Sequence, residues 1–372
     1  MELKMNIIQS NIQKITNLKS WQKRKLFSWF FAVLIFGITF LGTTGYVLYQ
    51  DKVAEDYYWE NGLKDDEENL RELAGINQNA VPVTAGTYIE TIKTIDVKGD
   101  NFRVLFNCWF TWEGTEELDM INNFRVYNGT INKMEVLEDF VENGVHYQCA
   151  RIDSTISKSY WTTRFPLESY QLRIYIESLY PAERVNLIAD TKYSGINPNL
   201  AISNFVLRRH AVSTYTMRYD NIKNDPAPQS PFHQELVTSL EVNREGIGLY
   251  IKCFIALLGT LTWVFITIFI CTYHRVDPLS MIPAALFGTV ANIMVGANLL
   301  PDALRLGLLE FVNLAGVAII ILGAITIINI NRIRAKRQDM DFAKLFGRMM
   351  FYMLLTFTII GIFWFPLMAY KF

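Results

Sequence analysis

The stretch RVDPLSMIPAALFGTVANIMVGANLLPD, Arg275 to Asp302, is a helix-length apolar run framed by Asp277-Pro278 and Pro301-Asp302. It carries small residues (Ala284, Ala285, Gly288, Ala291, Gly296, Ala297) together with Asn292 and Asn298. Small and amide side chains serve close helix packing in a bilayer, so this run is expected to be a membrane helix that faces other protein rather than lipid.

Three more apolar runs surround it, at 247–272, 306–330 and 346–370, with the central run at 278–300. A fifth, 26–48, lies near the other end of the chain and reaches the roughly 20 residues that span a bilayer. A signal peptide has a shorter apolar core and a small-x-small cleavage site, so 26–49 is expected to be a retained transmembrane anchor. Lys14, Lys19, Lys23, Arg24 and Lys25 precede it, and Arg332, Arg334, Lys336, Arg337 and Lys344 fill the 331–344 stretch. By the positive-inside rule both are cytoplasmic, which puts the middle of the chain on the outer side of an inner or plasma membrane.

Composition agrees. The chain has 372 residues, 51% of them hydrophobic, and its 35 Lys+Arg against 36 Asp+Glu give no general reason to expect a nucleic-acid partner. Four Cys, two of them inside apolar runs, make no disulfide framework. Cys108 and Cys149 sit in strand-like runs as buried thiols or, if that part is exported, as a pair.

Residues 50–85 are acidic and helix-patterned, a linker whose negative charge is expected to be solvated. From 86 to 245 the pattern alternates with period two. Strands are expected at 88–95, 102–112, 124–128, 145–152, 171–178, 185–190, 205–219 and 236–243, separated by Gly, Asn and Pro turns. That spacing predicts an antiparallel β-sandwich. The fold class is therefore a membrane protein of five parts: a basic arm (1–25), an extra anchor (26–49), an acidic linker (50–85), a β-sandwich (86–245) and a four-helix transmembrane domain (246–372). Lys252 and Glu310 lie inside spans, where they either snorkel to the interface or pair across helices.

Specific residues narrow this architecture. The segment TTRFPLESYQLRIYIES, Thr162 to Ser178, resembles the signature loop of the pentameric ligand-gated ion channels, with Phe165, Pro166 and Glu168 on the aromatic, proline and carboxylate positions. Lys158 and Leu172 stand where the flanking cysteines would be, as in the prokaryotic branch without that disulfide. The run from Gly86 to Trp112 resembles the first two strands of that family, Glu241–Arg244 its last strand, and Asn292–Pro301 the outer end of its pore helix. The resemblance covers about 86 to the C-terminus.

It implies a homopentamer gated by an unknown small ligand on the outer sandwich, without catalysis, cofactor or resident metal. It further implies that Glu168, Pro166, Asp96, Arg244, Pro301 and Asp302 meet at a coupling layer between sandwich and bundle. Arg275, Leu279, Pro283, Leu286, Val290 and Ile293 would line the pore, with a kink at Pro283. Tyr215, Tyr219 and Phe232 would stand near the ligand. The inner half of the pore helix offers only Ser280 and Thr289 as hydroxyls. The alternative is a pentameric receptor or scaffold of the same fold that does not conduct. His146, His210, His233 and His274 are scattered, and no phosphate loop, nucleophile elbow or metal-ligand spacing points to an enzyme.

Overall fold

The computed structural model describes residues 18–64, 67–115, 117–219, 232–300 and 306–370. Helix α1 (Ser20–Asn61) and the short helix α2 (Glu67–Ile76) lead into ten strands: β1 (Val81–Asp96), β2 (Asn101–Glu113), β3 (Phe124–Val126), β4 (Gly129–Glu142), β5 (Val145–Ser157), β6 (Ser169–Ser178), β7 (Val185–Ala189), β8 (Gly195–Ile196), β9 (Phe205–Arg218) and β10 (Phe232–Arg244). Helices α3 (Gly248–His274), α4 (Ile282–Leu299), α5 (Leu308–Arg337) and α6 (Met340–Tyr370) follow, with a 3-10 turn at Leu279–Met281 before α4.

The strands form two sheets, β4-β5-β2-β1-β7 with β8 beside β1, and β3-β6-β10-β9. Strict alternation in β2 turns Phe102, Val104, Phe106, Cys108, Phe110 and Trp112 into the core between them. The antiparallel expectation needs one correction, because β1 pairs with β7 and β8 in parallel. Gly86 is required where β1 passes Trp109, since a Cβ there would lie 2.3 Å from the indole. Cys108 and Cys149 are buried free thiols on neighbouring strands.

Four helices, α1, α3, α5 and α6, are long and apolar enough to cross a membrane, and α4 is a shorter apolar helix. No Gly or Pro interrupts the chain between Leu48 and Asn61, so the anchor helix does not stop at residue 49. It continues to a cap at Gly62, whose N–H bonds Tyr58 O. The expected linker therefore lies down on the sandwich. Tyr58 and Trp59 stack on Arg173 and Arg209, and Leu73 of α2 packs with Phe232 and Ala182. This cover explains why β10 is buried on both faces, with Leu236, Leu240 and Val242 toward the core and Val237, Ser239 and Glu241 away from it.

In the helical part α1 runs alongside α6 in the same direction. Trp21 meets Phe342, Trp29 meets Phe346, Phe36 meets Phe357, and Trp364 Nε1 donates to Leu41 O at 3.0 Å. The 331–344 stretch is not a loop. Helix α5 runs through Arg337 and α6 starts at Met340, and Arg334 Nη2 donates to Cys271 O at 2.6 Å, capping the end of α3.

Candidate functional site

The junction of sandwich and bundle is built around residues 163 to 170. Phe165 and Leu167 belong to the core of the helical part, whereas Tyr170 and Leu172 belong to the core of the sandwich. The chain crosses between the two cores in the turn that contains the cis bond Phe165-Pro166. Val97, in the turn between β1 and β2, packs against both.

Glu168 is buried, and its Oε1 accepts from Arg244 Nε at 2.9 Å, Arg244 Nη2 at 2.7 Å and Tyr170 Oη at 2.8 Å. Its Oε2 has no partner. The Arg244 guanidinium lies over the rings of Phe205, at 4.5 Å, and Phe165, at 5.6 Å. Charge-assisted bonds to a buried carboxylate are strong, and a lost partner would leave a charge uncompensated. The Tyr170 hydroxyl is held well above its usual range by burial and by the Glu168 charge beside it.

A second cation in the same loop was not legible as a site residue. Arg164, also buried, donates from Nε to Asp51 Oδ2 at 3.0 Å, from Nη2 to Glu55, and from Nη1 to Ala369 O at 3.4 Å. Ser169 Oγ donates to Glu55 at 2.9 Å, and Gln171 Nε2 to Glu55 O at 2.7 Å. Glu55 is 2% exposed, so the expectation that the acidic segment is a solvated face is wrong at this position. The uninterrupted helical pattern past residue 49 was the available signal. Thr163 O accepts from Leu308 N at 2.7 Å and presses on Gly307, where a Cβ would sit 2.4 Å away. One loop thus holds α1, the start of α5, the end of α6 and β10.

Of the six expected coupling residues, Glu168, Pro166 and Arg244 come together here. Asp96 does not join them, because its Oδ1 accepts from Gly99 N at 2.9 Å and stabilises its own turn. Pro301 and Asp302 lie outside the described residues.

Helix α4 turns Ile282, Ala285, Thr289, Asn292 and Gly296 into its own bundle. Asn292 Nδ2 donates to Asn313 Oδ1 at 2.7 Å, and Gly288 and Gly296 leave room for Thr260 and Leu309. Leu286, Val290 and Ile293 are left open, as are Leu279, Pro283 and Arg275 before them. Pro283 does not kink the helix as expected. It stands in the first turn, where its missing N–H would have no intrahelical acceptor anyway. Glu310 finds a partner in the first turn of its own helix. Its Oε2 accepts from Gly307 N at 2.8 Å, which caps α5.

No family model matches the chain, and no curated protein matches it.

Of the three aromatic ligand candidates, Tyr215 and Tyr219 border the cross-strand pair Glu177 and Glu235, and Phe232 stands apart from that pair. Phe232 is taken up in packing under α2. Tyr219 Oη donates to Glu177 Oε1 at 3.0 Å and accepts from Arg125 Nη2 at 3.2 Å, and Tyr215 faces Glu235 across β9 and β10. Among the described residues no group of three or more His, Cys, Asp or Glu is placed to hold a metal ion.

Proposed function

We propose that the chain is the subunit of a homopentameric ligand-gated ion channel in an inner or plasma membrane, with α4 from five copies around the pore. The observation that carries this reading is the open face of α4. Leu286, Val290 and Ile293 line one side of a helix whose other side is packed by the Asn292–Asn313 bond, and Ala284 and Ala291 beside them permit close approach of a second helix. Rings of Leu, Val and Ile gate by dewetting.

The junction supports the gating half of the reading. A ligand that tilts the sandwich acts on the loop holding Arg164 and Glu168, and through it on three membrane helices at once. The end of the bundle where Gln22 Nε2 bonds Asp339 Oδ2 at 2.5 Å carries Lys23, Arg24, Arg332, Arg337 and Lys344. By the positive-inside rule that end is cytoplasmic and the sandwich is outside.

The second reading, a pentameric receptor or scaffold without conduction, draws on Thr289 and Asn292 facing the bundle. Their burial leaves Leu286, Val290 and Ile293 as an apolar lining. Planar-bilayer recording separates the two. Leu286→Ala is expected to raise open probability over the parent protein; silence of both across pH and candidate ligands would leave only the second reading.

A further inference from the structure

Between α1 and the sheet lies a cavity of about 410 Å³ that the resemblance does not foresee, since Glu55 and Tyr58 of the extra helix complete a wall otherwise built by the sandwich. Tyr58 of α1 faces Trp161, Gln171, Arg173 and Tyr175 of the sandwich, and Lys158 closes one side. The volume is within the roughly 300–1,000 Å³ of small-molecule sites.

Two cations border this space without an anion. Arg173 is 5% exposed; its Nη2 donates to Tyr58 O at 2.9 Å and to Gln171 Oε1 at 3.3 Å, but Nε and Nη1 are buried with no hydrogen-bond partner. The ring of Tyr58 covers one face of the guanidinium at 4.2 Å. Lys158 Nζ reaches only Ser159 O at 3.4 Å and the ring of Tyr160 at 5.6 Å. The carboxylate in the wall, Glu55, is already engaged by Arg164 and Ser169. Burial and then the Arg173 charge push the Lys158 ammonium down to about 8, which fits two like charges with no counter-ion between them. A buried donor left unmade costs free energy, and an arriving anion would remove that cost.

We propose that this cavity binds a small organic anion, a carboxylate on an aromatic body, with Arg173 and Lys158 taking the charge and Tyr58, Trp161 and Tyr175 the ring. The volume and the aromatic walls exceed what an inorganic anion would fill. Occupancy would fasten α1 to the sheet, since Arg173 and Tyr58 stand on opposite sides of that contact.

The test is calorimetric titration of the full chain in detergent with benzoate, benzamide and inorganic phosphate at one ionic strength. Benzoate is expected to bind, with benzamide and phosphate at least tenfold weaker. Arg173→Gln and Lys158→Met should each weaken benzoate at least tenfold. Lys158 is half-buried and makes one weak bond, so Lys158→Met keeps the test open if Arg173→Gln does not fold. No benzoate binding, equal binding of benzamide or phosphate, or unchanged binding by folded Lys158→Met would overturn the proposal. Because conduction is not measured, its failure would leave the channel reading untouched.

Discussion

Arg244, the last residue of β10, gives two hydrogen bonds, at 2.9 and 2.7 Å, to one and the same oxygen of Glu168. Both side chains are largely buried, so neither can turn to water when the other is removed. Glu168→Gln and Arg244→Met are each expected to cost about 3–5 kcal/mol. Exchanging the two as Glu168→Arg with Arg244→Glu should recover part of that loss. Denaturant titration of the purified protein measures it, and a loss below about 1 kcal/mol would show that the pair holds nothing in place.

Arg164 ties α1 to the junction, so Glu55→Gln and Arg164→Met act on one interaction. Their double mutant should be less destabilised than the sum of the singles by about 0.5–3 kcal/mol. Additive losses in thermal unfolding would mean that α1 does not depend on this contact.

Glu235 lies opposite Glu177 on the neighbouring strand, and neither of its oxygens has a hydrogen-bond partner. Burial, and then the Glu177 charge, push its carboxyl from 4.5 up to about 7, against the opposing pull of Arg125. The folded protein therefore holds a proton that the unfolded chain has released between those values. The contribution of Glu235 to stability falls as pH rises from about 4.5 to 7 and is level above that. Glu235→Gln should match the parent at pH 4 and exceed it at pH 8 by on the order of 2–3 kcal/mol. Equal melting curves at pH 8 would contradict this.

Gly307 has an ordinary extended backbone (φ −121°), so only the Thr163 carbonyl opposes a side chain there. Gly307→Ala is expected to push the loop off α5 and cost about 1–3 kcal/mol. Gly75→Ala, in the last turn of α2 with open space around it, serves as the control and should melt at or slightly above the parent.

Much of the fold was legible because it rests on period and punctuation. The alternation of β2 and the apolar lengths of α1, α3, α5 and α6 follow from what must be kept from water. Strand β4 was missed. Its flanking turns at 128–129 and 142–144 were readable, but the strand is an exposed edge whose side chains, Glu135, Glu138 and Asp139 among them, face water on both sides. Pro283 misled because its place in a helix depends on where the helix begins, and the preceding 3-10 turn moves that start to Ile282. At the junction, Glu168 and Arg244 were found through a resemblance in sequence order. Arg164 with Glu55 was not, since its partners lie more than a hundred residues apart and an acidic helix face looks alike whether water or a guanidinium covers it. Asp96 shows the opposite error, a carboxylate near the junction that satisfies its own turn.

The arrangement of α4 around a shared axis is the center of the functional proposal, and the number of subunits tests it most directly. Native mass spectrometry of the full chain released from detergent is expected to give five copies as the dominant species, with Asn292→Leu lowering that fraction because it unseats α4. A monomer, dimer or any other closed number at the same protein concentration would contradict a five-fold pore.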